Sequence, residues 1–93
     1  MSWKPYDPGW LVELAREQHP EVVWLSDALV DCTSYGEESP AYYYFVEPSF
    51  PNQPGSEWQF ACNVVLHHER EGEIVLDVLR GDRIGGVEFI ERV

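Results

Sequence analysis

Two adjacent histidines, His67-His68, and two cysteines, Cys32 and Cys62, are the residues here best suited to metal or nucleophilic chemistry. Their spacing argues against both. Neighbouring residues of an extended strand point to opposite faces, so His67 and His68 cannot readily share one ion. The chain has no C-x-x-C and no H-x-x-x-H. A nucleophilic centre needs Ser or Cys beside a base and an orienting acid. There is no G-x-S-x-G, and the serines fall in turn-like stretches. Cys62 alternates with apolar residues and reads as a buried thiol. Asp77, inside Ile-Val-Leu-Asp-Val-Leu, falls with Val75 and Leu79 on the face opposite the core and reads as solvated or Arg-paired. Arg80-Gly81-Asp82 reads as a turn, and no helix follows Gly81, Gly85 and Gly86 to make a phosphate loop. The expectation is a protein with no catalytic residue, no metal ligand and no cofactor.

Recognition is the chemistry that the composition favours. Seventeen acids face six bases, for a formal charge of −11. From Glu17 to Glu69 there are nine acids and no Lys or Arg; the bases are Lys4, Arg16, Arg70, Arg80, Arg83 and Arg92. Binding to nucleic acid or to an anionic membrane calls for a basic surface, so a basic protein is the natural complement. Within the base-free stretch, Asp31, Glu37, Glu38, Tyr42, Tyr43, Tyr44 and Glu47 form the candidate partner-binding set. Tyrosine offers apolar area with a polar tip, and surrounding carboxylates speed encounter with a cationic surface.

These residues need a frame. With 93 residues, 44% of them hydrophobic, the chain suits one modest core and is not disordered by composition. The spacing predicts a helix over 8–19, with Asp7 as N-cap, Pro8 at its first position and Pro20 as its stop. Residues 21–34 leave strand, buried turn and short helix open. Residues 35–40 read as a loop, 41–47 as a strand, and the proline-bearing 48–55 as a connection outside any ladder. Strict alternation over 58–68 predicts a half-buried strand with Trp58, Phe60, Cys62, Val64 and Leu66 inward. A hairpin loop Arg70-Glu71-Gly72 would set Leu66 against Leu76, and a type II′ turn at Gly81-Asp82 would set Leu76 against Val87 and Ile74 against Phe89. The predicted fold is one α+β domain over 1–93: an N-terminal helix on a three-to-five-stranded antiparallel meander. The N-terminus MSWKPYDPGW has no apolar signal core, and no apolar run spans a membrane, so a cytoplasmic protein with reduced thiols is expected.

A small, acidic, Tyr-rich α+β chain of this kind resembles the immunity proteins that neutralise bacterial toxins. The stretch from Tyr42 to Val93, YYYFVEPSFPNQPGSEWQF followed by GEIVLDVLRGDRIGGVEFIERV, is similar to small bacterial proteins found in such settings. Its last hairpin, Gly-Asp-Arg-Ile-Gly-Gly-Val-Glu, is also similar to a hairpin of another bacterial family. The resemblance implies a non-enzymatic inhibitor that covers a cognate toxin, such as a basic nuclease, and it supplies no residue roles. Two rival readings stand beside it. A nucleic-acid mimic of the anti-restriction or anti-CRISPR type would carry carboxylates in rows. A small hydrolase would show convergent titratable groups in a deep pocket.

Overall fold

The computed structural model describes residues 2–93. The chain runs β1 (Lys4–Pro5), α1 (Gly9–Gln18), α2 (Val23–Val30), β2 (Ser34–Ser39), β3 (Tyr42–Tyr44), β4 (Phe60–His68), β5 (Gly72–Leu79) and β6 (Arg83–Phe89), and closes on a 3-10 turn, Ile90–Arg92. The strands make one antiparallel sheet in the order β1-β2-β3-β6-β5-β4. The α+β class and the C-terminal meander agree with the sequence pattern. The sheet is larger than expected, with six strands, and two helices rather than one contribute to the core.

Asp7 acts at the start of α1 as its type suggests, its carboxylate accepting from the Gly9 amide at 3.0 Å, although Pro8 is the cap residue. The undecided segment is helical. Val22, Val23, Trp24 and Leu25 favour extended backbone by type, yet Leu25 and Leu29, four residues apart, are fully buried, and Val22, Trp24 and Ala28 pack around them. Burial of a helical stripe outweighs a preference worth a few tenths of a kcal/mol per residue. Leu11, Val12 and Ala15 of α1 join Leu25 and Leu29 and the sheet residues Leu66, Ile74, Leu76, Val78, Ile84, Val87 and Phe89 in one cluster.

The largest departure is β2, where a loop was expected. Apart from Tyr35 its residues are poor strand formers, but β3 supplies the pairing, with Gly36 opposite Tyr44 and Glu37 opposite Tyr43. A bulge at Glu38 separates Glu37 from Ser39, and the Tyr44 ring lies on Gly36, where any Cβ would strike it. Tyr35 and Tyr43 lie ring to ring at 4.8 Å. Tertiary contact therefore makes a strand that local propensity does not announce.

The two hairpins correct the predicted pairing in different ways. His68 pairs with Gly72, so the first loop is Glu69-Arg70-Glu71, and Leu66 faces Ile74 rather than Leu76. A two-residue shift preserves every face. Gly72 takes a positive φ of 75°, the left-handed conformation its place in the sequence suggested. In the second hairpin Ile74 faces Phe89 and Leu76 faces Val87, as the pattern predicts. The turn itself is not type II′: Gly81 and Asp82 both have positive φ, whereas type II′ needs it only at the first.

At the start of β4 the alternation fails. Ala61 is an extra residue between the pairs Phe60–Leu79 and Cys62–Val78, so Phe60 shares a face with Leu79 and not with the helices. Phe60 is 40% exposed, Cys62 is exposed and Val64 is half-buried; only Leu66 at the far end of the strand is sealed. The expected inward Phe60 and buried Cys62 are thus corrected by one bulge and by an edge position. That edge is partly covered. Gln18 donates to the carbonyl of His67 at 2.6 Å and accepts from its amide at 2.8 Å, and the His19 ring meets the Val65 carbonyl at 2.9 Å. The end of α1 thereby satisfies backbone groups that would otherwise invite another strand.

Gly36→Ala tests the β2–β3 contact. It should destabilise the fold by about 1–3 kcal/mol, the usual cost of overpacking, against about half a kcal/mol or less for an ordinary surface change. Urea denaturation measures the difference, and a shift within the surface range would show that Tyr44 does not hold β2 in place.

Candidate partner-binding face

The alternation that sends Ile74, Leu76 and Val78 toward the helices sends Val75, Asp77 and Leu79 to the other side of the sheet. Across the ladder this second face carries Asn63 and Val65 from β4, Gly86 and Glu88 from β6, and Tyr42 and Tyr44 from β3. One end is closed by the connection between β3 and β4, whose Val46 and Trp58 bury themselves with Tyr44 and Leu79. The other end is open, with Val65 39% exposed and Tyr42, Val75, Asp77 and Glu88 half-buried.

Asp77 organises the open part. Tyr42 donates its hydroxyl to Asp77 Oδ2 at 2.5 Å. Asn63 donates through Nδ2 to Asp77 Oδ1 at 2.7 Å and to the Leu76 carbonyl at 3.3 Å. Both carboxylate oxygens are therefore held, one from each side of the strand. The residue reads in the sequence as solvated or Arg-paired; the structure gives it a tyrosine and an amide instead. Gly86 makes room for this bond, since a Cβ there would lie 2.5 Å from the Tyr42 oxygen and 2.8 Å from the Tyr43 carbonyl. Burial pushes the Tyr42 hydroxyl well above its ordinary value. Its bond to Asp77 and the charges of Asp77, Glu38 and Glu88 push the same way. Glu88 pairs directly with Tyr42 across the β3–β6 ladder, and Glu38 sits at the bulge next to Ser39, the β2 partner of Tyr42, so positions on β2, β5 and β6 that flank this tyrosine all carry carboxylates.

The sequence-predicted set divides around this centre. Glu38 and Tyr42 meet there. Tyr44 shares the face but is 8% exposed, beneath an edge-on Trp3 at 5.8 Å. Tyr43 points to the helices, 5.3 Å from Phe89, and its hydroxyl accepts from Arg92 at 3.2 Å. Glu37, opposite Tyr43, is exposed at the β2 edge. Asp31 is exposed after α2, in a shallow cleft with Cys32, Asp82 and Arg83. Glu47 accepts from the Ser49 hydroxyl at 2.7 Å in the β3–β4 connection. Sequence reasoning missed Asp77, Glu88 and Asn63 as partners of Tyr42. The second-hairpin register, with Leu76 opposite Val87, already implied Asp77 opposite Gly86 and Val75 opposite Glu88, but the predicted first hairpin set Asn63 two residues away from Asp77 and nothing announced the β3–β6 pairing.

Cys32 and Cys62 are free thiols, and burial, with the neighbouring Asp31 charge, pushes Cys32 up to about 12. Among the described residues, no three His, Cys, Asp or Glu side chains stand close enough together to hold a metal ion. No helix among them is long and apolar enough to cross a membrane. The chain matches no protein-family model, no curated protein and no solved structure.

The Tyr42–Asp77 bond predicts a defined alkaline response. A tyrosine held above its unfolded value of about 10 adds stability that is complete below that pH and is lost as pH rises toward the folded value. Tyr6, pushed up to about 12 chiefly by burial, acts in the same direction. Denaturation midpoints should therefore fall from about pH 10 upward. Tyr42→Phe should cost about 1–2 kcal/mol at pH 7 through the lost hydrogen bond and make that alkaline fall shallower. An alkaline limb of unchanged steepness would place the loss elsewhere.

Proposed function

We propose that this chain is a cytoplasmic, immunity-type binding protein that covers a basic protein toxin one-to-one and performs no turnover of its own. The observation that carries the reading is the gathering of Glu38, Asp77 and Glu88 around Tyr42 on a sheet face that no helix covers. It lies in a chain of charge −11 whose residues 17–69 contain no Lys or Arg. Exposed carboxylates at Glu37 and Glu38 draw a cationic surface in. Tyr42, its hydroxyl fixed by Asp77, presents a ring with little freedom left to lose on binding. An interface of about 800 Å² on each partner is ample for tight inhibition. A nuclease is the toxin class that suits this charge, because its own substrate is a polyanion. The compact grouping of the carboxylates favours a protein partner over mimicry of a nucleic acid, which calls for an extended row of charge.

Affinity capture from the source cell at low salt, with wild-type protein and a Glu38→Lys/Glu88→Lys variant as paired baits, tests the reading. The wild type should retain a basic protein whose toxicity in co-expression it relieves. The variant, folded by circular dichroism, should associate with that protein at least tenfold more slowly and with a flatter salt dependence. Equal association rates for the two folded baits at low salt would remove this face from the interface.

A further inference from the structure

The connection between β3 and β4 holds an aromatic residue in a conformation that the fold does not use. Phe50 has φ of +53°, in the left-handed region, and it directly precedes Pro51. A bulky residue is rare there, and a following proline pushes its neighbour toward extended backbone. Such a position costs on the order of 1–3 kcal/mol. The ring recovers none of this by packing, since Phe50 is 77% exposed. A glycine or asparagine would build the same turn more cheaply, as Asn52 does two residues later at φ of +65°.

The segment around Phe50 is held by a dense set of hydrogen bonds. Asn52 donates its amide to the Trp58 carbonyl at 2.7 Å and accepts through Oδ1 from the Phe60 amide at 2.9 Å. Gln53 donates to the Phe50 carbonyl at 3.1 Å, and Ser56 donates its hydroxyl to the Ser49 carbonyl at 2.9 Å. Gln59 bridges the carbonyls of Gln53 and Ser56 at 2.6 and 3.1 Å. Pro48, Pro51 and Pro54 restrict the backbone further, and the buried Trp58 and Val46 tie the segment to the sheet. The chain thus spends hydrogen bonds and prolines on displaying one phenyl ring to water.

We infer that Phe50 is a preformed anchor that inserts into an apolar pocket on a basic protein partner. A rigid exposed aromatic is the usual centre of an interface, because it buries large area with little loss of freedom. Charge selects the partner. Residues 45–60 carry Glu47 and Glu57 and no base; Arg83 lies 3.9 Å from Glu57 and the Arg80 amide bonds the Gln59 carbonyl, so the bases beside the segment come from the β5–β6 turn while the chain as a whole stands at −11. The pocket that receives Phe50 is therefore rimmed by Lys or Arg. A second copy of this chain, also at −11, is repelled. The inference rests on the reading that this chain binds a basic protein, and extends the contact surface from the Tyr42 face to this segment.

The test replaces Phe50 with the photoreactive p-benzoylphenylalanine in full-length protein in the source cell, with Val93, 86% exposed, replaced in the same way as control. Irradiation should give one discrete adduct to a basic protein from position 50 and none from position 93. The adducted protein, purified, is then titrated with Phe50→Gly and with Glu38→Lys. Phe50→Gly should weaken affinity at least thirtyfold through faster dissociation, while its melting temperature stays the same or rises because the left-handed strain is relieved. No adduct at position 50, an adduct to a second copy, or unchanged affinity of the glycine variant would each overturn the inference. A fall in melting temperature would show that Phe50 serves the fold. If Phe50→Gly fails to bind and Glu38→Lys binds normally, the anchor stands and the acidic Tyr42 face falls. The reverse result removes the anchor alone.

Discussion

The register between β5 and β6 is the constraint on which the rest of the structure depends. Ile74 opposite Phe89 and Leu76 opposite Val87 commit each residue of the two central strands to one of two faces. On one side the commitment builds the cluster shared with Leu11, Ala15, Leu25 and Leu29. On the other it aligns Asp77 with Gly86, which opens the space that Tyr42 fills. A slip of one residue would turn Asp77 into the core and Leu76 into water, so the core and the proposed recognition face share one specification. The bulge at Gly85, between the Asp77–Gly86 and Val78–Ile84 pairs, then brings Phe45 and Val46 onto the Gly85 carbonyl and starts the chain across the far face.

Polar groups set the ends of the architecture. Gln18 and His19 satisfy outward backbone groups of β4, and the Arg92 guanidinium closes the C-terminus. It donates to both oxygens of Glu71, at 2.9 and 2.7 Å, and to the Pro40 carbonyl at 2.9 Å, with its carbon 3.9 Å above the Phe89 ring. The Glu71 carboxyl is held below its ordinary value by those bonds. Arg92 thus links the first hairpin, the β2–β3 turn and the core from one position.

What could be read in advance follows the range of the interactions. The β4-β5-β6 meander is legible because strict alternation and two turn signals agree within thirty-odd residues, and α1 because Asp7, Pro8 and Pro20 bracket a helical stripe. β2 is not legible: Ser34 to Ser39 form a strand only because Tyr43 and Tyr44 pack against them. The helix over Val23–Val30 defeats propensity because burial of Leu25 and Leu29 decides it. Phe60 leaves the predicted face because of one extra residue at Ala61, which no local pattern betrays, whereas Cys62 keeps its face opposite Val78 and is exposed by its place on the edge strand. At the candidate face, Glu38 and Tyr42 could be named from composition. Their meeting with Asp77 spans 35 residues of chain and depends on β3 joining the meander through β6.

The proposed recognition surface is the helix-free side of the sheet and the segment beside it, not the outer surface of the helices, where Val23 and Val30 are also exposed. A heteronuclear NMR titration of the labelled chain with the basic protein recovered from the source cell decides between them. The account predicts that amide shifts and line broadening fall on Glu38, Tyr42, Val75, Asp77, Glu88 and the residues flanking Phe50, with the α1–α2 surface unchanged. Perturbations confined to Val23, Val30 and their neighbours on the helices, with Tyr42 and Asp77 unmoved, would contradict it.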